Sequence, residues 1–106
     1  MVVKSLGWVV VATGGTPVRV TTDTDIVASK VTFRPVTGCG TMFIGLASMV
    51  KTTGVNVISE IAALATSGHA DEIVIEAAGG GNPIRVADFW IDGTTGDKLS
   101  VSYQVE

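Results

Sequence analysis

The chain has 106 residues, of which 46% are hydrophobic and only 16% are charged, and its formal net charge is −3 at pH 7. Its Lys and Arg residues are scattered singly, which argues against a nucleic-acid partner because such a partner requires a clustered basic face. No apolar run approaches the roughly 18 residues that span a bilayer, so we predict no membrane segment, and the N-terminus predicts no signal peptide.

The charged fraction lies well below the usual quarter or so. Two interpretations remain open: sister subunits or a larger assembly cover part of the surface, or the chain is a Val-rich β domain that needs few charges. The single Cys39 excludes an intramolecular disulfide and fits synthesis in a reducing cytoplasm. We predict one domain over residues 1–106, since no linker divides the chain.

The first half of the chain predicts four strands, spaced about one every 10–12 residues with turn signals between them. They cover residues 6–12, 16–21, 29–36 and 41–46. Pro17 predicts that the second strand begins there or lies at a sheet edge, because proline cannot donate to a ladder. This spacing indicates a sandwich or barrel rather than a βαβ fold.

Alternation within these segments assigns their faces. Val31 and Phe33 share one face of the third segment, opposite the polar residues between them. Met42, Ile44 and Leu46 share one face of the fourth segment.

The middle of the chain fits two structures. Ile58, Ile61, Ala62 and Ala65 fall near helical spacing, but residues 55–58 also fit a strand. We favour the strand for residues 55–58 and a loop or single turn for residues 60–66. Residues 72–77 then predict a strand with Ile73 and Ile75 on one face.

Residues 88–105 predict a β-hairpin around which the rest of the chain is organised. The first arm is Phe-Trp-Ile at residues 89–91, and the turn Asp-Gly-Thr-Thr-Gly-Asp at residues 92–97 supplies positions that accept φ > 0. The second arm alternates without a break, with Leu99, Val101, Tyr103 and Val105 on one face. A slip of one residue would expose all four apolar side chains, so the register is firmly specified.

We therefore predict an all-β fold, an antiparallel β-sandwich of jelly-roll type with about eight strands. The residues expected in its core lie on the apolar faces of the alternating segments; they are Val31, Phe33, Ile44, Ile73, Ile75, Leu99, Val101 and Tyr103.

No constellation of catalytic residues emerges, so we predict that the chain is not an enzyme and uses no cofactor. The Gly run at residues 79–81 lacks the spacing of a phosphate loop, and His69 lies in a local Ser-Gly-His-Ala-Asp stretch that is no triad. Asp92 and Asp97 either hold Ca²⁺ or bond to the turn backbone; the second interpretation is simpler, and we predict no metal site. Trp8 and Trp90 fit a sugar-stacking platform, but Trp in a small β domain is more often core or interface.

Five segments together resemble small structural proteins of tailed bacteriophages. They are GTPVRV (residues 15–20), VTFRP (31–35), MFIG (42–45), DEIVI (71–75) and NPIRVADFWIDG (82–93). The resemblance extends from about residue 15 to residue 105 and rests on strands and turns, without a catalytic signature. Residues 59–71 depart most from the pattern, so a particular role transfers least there.

The resemblance implies a virion component on the capsid surface, made in the cytoplasm of a host bacterium. We expect a capsid decoration (cement) protein that binds the major capsid protein and itself, as a homotrimer first and a dimer second. The expected contacts are Leu6, Trp8, Val9, Val10, Val11 and Trp90. The alternative is a receptor- or carbohydrate-binding module of a head fibre or tail, which convergent exposed aromatics would favour. A flat apolar patch would favour the decoration protein.

Overall fold

Strands dominate the structure, a computed structural model that describes residues 2–36, 40–61, 72–77 and 83–105. In chain order the elements are β1 (Val2–Val10), β2 (Val18–Arg19), β3 (Val27–Ala28), β4 (Lys30–Pro35), β5 (Met42–Val50), β6 (Val55–Ile61), β7 (Ile73–Glu76), β8 (Ile84–Arg85), a 3₁₀ turn (Val86–Asp88), β9 (Trp90–Asp92) and β10 (Lys98–Val105).

The strands form two four-stranded sheets and a short ribbon. The first sheet has the order β1-β10-β4-β7, the second has the order β2-β9-β5-β6, and β3 pairs with β8. All pairings are antiparallel. Without the ribbon, this is the strand order of an eight-stranded jelly roll. The predicted all-β jelly-roll sandwich is confirmed, and the ribbon is an addition to it.

The inner faces of both sheets meet in one apolar core. Among the residues predicted for it, Val31, Phe33, Ile44, Leu99 and Val101 are completely buried. The other three, Ile73, Ile75 and Tyr103, are half-buried and pack against its margin. For the two isoleucines the reason is that β7 is the outer strand of its sheet and pairs with β4 alone among the described strands.

The predicted C-terminal hairpin is wrong, although its two strands are present. β10 pairs with β1 on one side and β4 on the other, so both of its edges are occupied. β9 instead pairs with β2 and β5 in the second sheet. Residues 93–97 therefore form an arch that crosses from one sheet to the other.

Several strand boundaries differ from the sequence prediction. β1 begins at Val2 instead of residue 6, and β2 shrinks to two residues. β6 continues to the buried Ile61, so the predicted loop at residues 60–66 is wrong for Glu60 and Ile61; residues 62–66 lie outside the described residues. As Pro17 indicated, β2 is an edge strand.

The tip of the β5–β6 hairpin, residues 46–56, folds back over the outer face of the second sheet; we call it the flap. The ladder shifts register on both sides of Gly45 and closes again at Val50 and Val55. Met49 is buried, and a Cβ at Gly45 would lie 2.7 Å from its sulfur. Because of this bulge Leu46 is exposed, which corrects the prediction that it shares the buried face of Ile44.

Candidate binding surfaces

The outer face of the first sheet carries short hydroxyl side chains. Ser5, Ser102 and Thr32 lie side by side across β1, β10 and β4, and Trp8 continues the next row with Ser100 and Arg34. No element described in the structure packs over Trp8, which is 60% exposed, and the Lys98 ammonium lies 4.8 Å from its ring centroid. This face presents one large aromatic ring among small polar groups.

Strand β1 is the outer strand of the first sheet and pairs with β10 alone among the described strands. Val3 and Val10 are exposed on the same side of the strand as Trp8, whereas Leu6 and Val9 are half-buried against the core. An edge strand with exposed apolar side chains is a template for association with another chain. We call Val3, Trp8 and Val10 the β1 stripe.

The residues predicted from the sequence as contacts lie in different environments. Trp8 and Val10 are exposed, Leu6 and Val9 are half-buried against the core, and Val11 is completely buried in the core. Trp90 lies elsewhere, on the outer face of the second sheet, because it pairs laterally with Arg19 and Gly45 while its neighbour Ile91 faces the core. The two tryptophans are therefore on opposite outer faces and form no common platform.

A second apolar surface, which the sequence analysis did not identify, lies on the flap and the adjoining part of β6. Its exposed members are Leu46, Val50, Val55 and Ile58. Ser48 and Asn56 have positive φ of 65° and 57°, and the Asn56 amide donates to the carbonyl oxygen of Ala47 at 3.0 Å. These bends turn the apolar side chains outward, and we call the four residues the flap patch.

A groove opens beside Trp90, between the flap and the 3₁₀ turn. Its volume is about 390 Å³, and it is lined by Arg19, Leu46, Ala47, Ala87, Asp88 and Trp90. The Arg19 Nε donates to the carbonyl oxygen of Ala87 at 2.7 Å, and its guanidinium carbon lies 6.0 Å from the Trp90 ring centroid. Neither Arg19 nor Asp88 stands out in the sequence, because only the pairing of β2 with β9 brings Arg19 beside Trp90.

The arch is held by its two carboxylates, as the simpler interpretation of the sequence predicted. Asp92 Oδ1 accepts from the Gly93 and Gly15 amides at 2.7 and 3.0 Å, and Asp97 Oδ2 accepts from the Thr94 amide at 3.1 Å. Both carboxylates are buried. Asp92 Oδ2 has no hydrogen-bond partner among the described residues.

Lys51 also ties the flap to the arch. Its Nζ donates to the carbonyl oxygen of Gly93 at 2.5 Å. Gly93 directly follows the buried Asp92 in the chain. This contact fixes the flap over the second sheet at the end where the arch begins.

The remaining candidates from the sequence, Cys39, His69 and the glycines at 79–81, lie outside the described residues. Within the described part of the chain, no three His, Cys, Asp or Glu residues are grouped so that they can hold a metal ion. No helix in that same part is long and apolar enough to cross a membrane. Comparison of the chain with protein-family models, curated proteins and solved structures finds no match.

Proposed function

We propose that this chain is a bacteriophage structural protein that decorates the capsid, binds the head surface as an oligomer and bridges capsid subunits. The observation that carries the proposal is the β1 stripe, an exposed aromatic and two exposed valines along the open edge of a sheet. Monomers seldom leave such an edge uncovered. The function is binding, without a catalytic step.

The strand order supports the proposal by analogy. Jelly rolls occur in viral capsid domains and also in lectins. A fold hosts many functions, so the particular role rests on the surfaces. The resemblance of the five sequence segments to tailed-phage structural proteins favours the capsid over other partners.

A bridging protein needs one surface for its own copies and one for the capsid, and this chain has two apolar surfaces on different sheets. We assign the β1 stripe to self-association, as a trimer first and a dimer second. The flap patch is assigned to the major capsid protein. An oligomer that holds several capsid subunits at once gains avidity without a strong single contact.

Light scattering with a matched pair of variants tests the self-association. Val10 and Val74 are both exposed on the outer face of the first sheet, but they lie on its opposite edges. We expect the parent protein and Val74→Lys to form oligomers at micromolar concentration, and Val10→Lys to be monomeric. A monomeric parent protein at high concentration, or equal effects of the two variants, would contradict the assignment.

Cosedimentation with empty heads of the bacteriophage that encodes this chain tests the proposed contact with the capsid. Val55 lies in the flap patch and Val27 on β3, and both are exposed. We expect Val55→Lys to lose binding to heads while Val27→Lys retains it. Heads that bind neither the parent protein nor the control would overturn the decoration role.

A further inference from the structure

The groove beside Trp90 combines an aromatic ring, small apolar side chains and two charged groups in one concave site. Its volume of about 390 Å³ lies near the lower end for ligand pockets, which run from roughly 300 to 1,000 Å³. Trp90 is half-buried, so part of its indole stays accessible. Ala47 and the buried Ala87 also line the groove.

Arg19 is held in place by the protein itself. Its Nε bond to the Ala87 carbonyl oxygen at 2.7 Å and its position over Trp90 fix the guanidinium plane. An arginine carries five N–H donors, and this bond uses one of them. The other four N–H donors are available to a ligand in the groove, which Arg19 lines.

Asp88 supplies the complementary acceptor. Its side chain is exposed at the last residue of the 3₁₀ turn, where it lines the groove. Among the described residues, the one carboxylate–cation pair within 4 Å joins Arg34 to Glu72, so Asp88 is not neutralised by Arg19. One cation and one anion leave the groove without net charge, so it offers no net attraction to a charged ligand.

From this arrangement we propose that the groove is a binding site for a neutral saccharide. An apolar C–H face of a pyranose ring stacks on the indole of Trp90, which accepts contacts of this kind on its flat face. Adjacent hydroxyl groups donate to the Asp88 carboxylate and accept from the terminal amino groups of Arg19. The site belongs to the second sheet and acts separately from the β1 stripe.

The two tryptophans provide the test, because each gives one indole N–H resonance. We would titrate ¹⁵N-labelled protein with methyl glycosides of glucose, galactose, mannose, rhamnose and N-acetylglucosamine at millimolar concentrations, after assigning the peaks with Trp8→Phe. We expect at least one glycoside to shift the Trp90 resonance saturably while Trp8 stays unchanged. Asp88→Ala should weaken that binding by about tenfold, the effect of losing one charged hydrogen-bond partner. Arg19→Lys keeps the charge but should also weaken binding, because lysine lacks the planar array of donors.

Several outcomes would overturn the site. They are the absence of a Trp90 shift with every glycoside, parallel non-saturating shifts of both indoles, and tighter binding of glucuronate than of glucoside. The backbone amide spectrum of each variant, compared with that of the parent protein, verifies that the variant is folded. The Val10→Lys variant separates the two proposals, since it should lose self-association and keep the Trp90 shift.

Discussion

Strands of both sheets alternate between inward and outward residues, but the outer faces of the two sheets differ in their exposure to solvent. In the first sheet the outward residues of β10 and β4 stay at the surface beside the exposed Trp8. In the second sheet the flap and the arch cover the outward positions, so that Met49 and Asp92 are buried outside the core. A period of two assigns a residue to a face, but a neighbouring segment decides whether that face meets solvent.

This difference predicts where substitutions reduce stability. In the first sheet the buried side chains lie on the inner face, and the outer face carries exposed Trp8. In the second sheet buried side chains lie on both faces, as Ile44 and Met49 of β5 show, while Leu46 and Ile58 are exposed. Substitutions at matched positions in the two sheets test this prediction.

The largest expected effect comes from the core that both sheets share. Phe33 is completely buried, and its ring meets Phe89 edge to face at a centroid distance of 5.5 Å. Phe33→Ala should lower the free energy of unfolding by about 3–5 kcal/mol, because it leaves a cavity as well as losing apolar burial. Chemical denaturation measures this loss. A value below about 1 kcal/mol would mean that this face of β4 is not the core face.

The next effect tests whether the outer face of the second sheet behaves as core. Met49 lies there and Met42 lies on the inner face of the same strand, and both are buried. Met49→Ala should lower the free energy of unfolding by about 2–3 kcal/mol, within the range for buried methionine, and Met42→Ala should cost at least as much. If Met49→Ala is nearly neutral while Met42→Ala is costly, the flap does not seal this face.

The third effect concerns the arch. Asp92→Ala removes the acceptor of two backbone amides, of which the Gly93 amide is buried, so it should cost about 1–2 kcal/mol in the free energy of unfolding. Asp92→Asn keeps one side-chain oxygen in place and should cost less than Asp92→Ala. Thermal and chemical denaturation of both variants check this order, and equal losses would show that the amide bonds do not hold the arch.

Local sequence predicts some of this architecture but not all of it. The faces of β4 and β10 were predictable because alternation is a property of each strand alone. The place of β9 was not, because an Asp-Gly turn fits a hairpin and an arch equally well. The turn forms an arch because β1 and β4 occupy the two edges of β10, so that no edge is left for β9.

The binding surfaces divide in the same way. The exposure of Trp8 could be anticipated from an N-terminal apolar strand, since such a strand readily lies at a sheet edge. The exposure of Leu46 could not, because the bulge at Gly45 depends on Met49 and on the Asn56 carbonyl, which both lie where a Cβ at Gly45 would stand. The groove needs Arg19 and Trp90 side by side, a long-range pairing that no local pattern encodes.

The smallest expected effect distinguishes the two tryptophans. Trp8 is exposed and its contact with the Lys98 ammonium is a surface cation–π interaction, worth about 0.5–1 kcal/mol at most. At concentrations where the protein is monomeric, Trp8→Ala should therefore change the free energy of unfolding by no more than this amount. Trp90→Ala removes a half-buried ring between Arg19 and the flap and should cost more.

Protein concentration makes the same substitution a test of the β1 stripe. If copies associate through this stripe, the folded oligomer is stabilised by mass action, and the denaturation midpoint of the parent protein rises with concentration. Trp8→Ala should flatten that dependence while leaving the low-concentration midpoint almost unchanged. A concentration dependence that persists in Trp8→Ala would place the self-association surface elsewhere. A low-concentration loss as large as that of Trp90→Ala would mean that the outer face of the first sheet stabilises the fold as well.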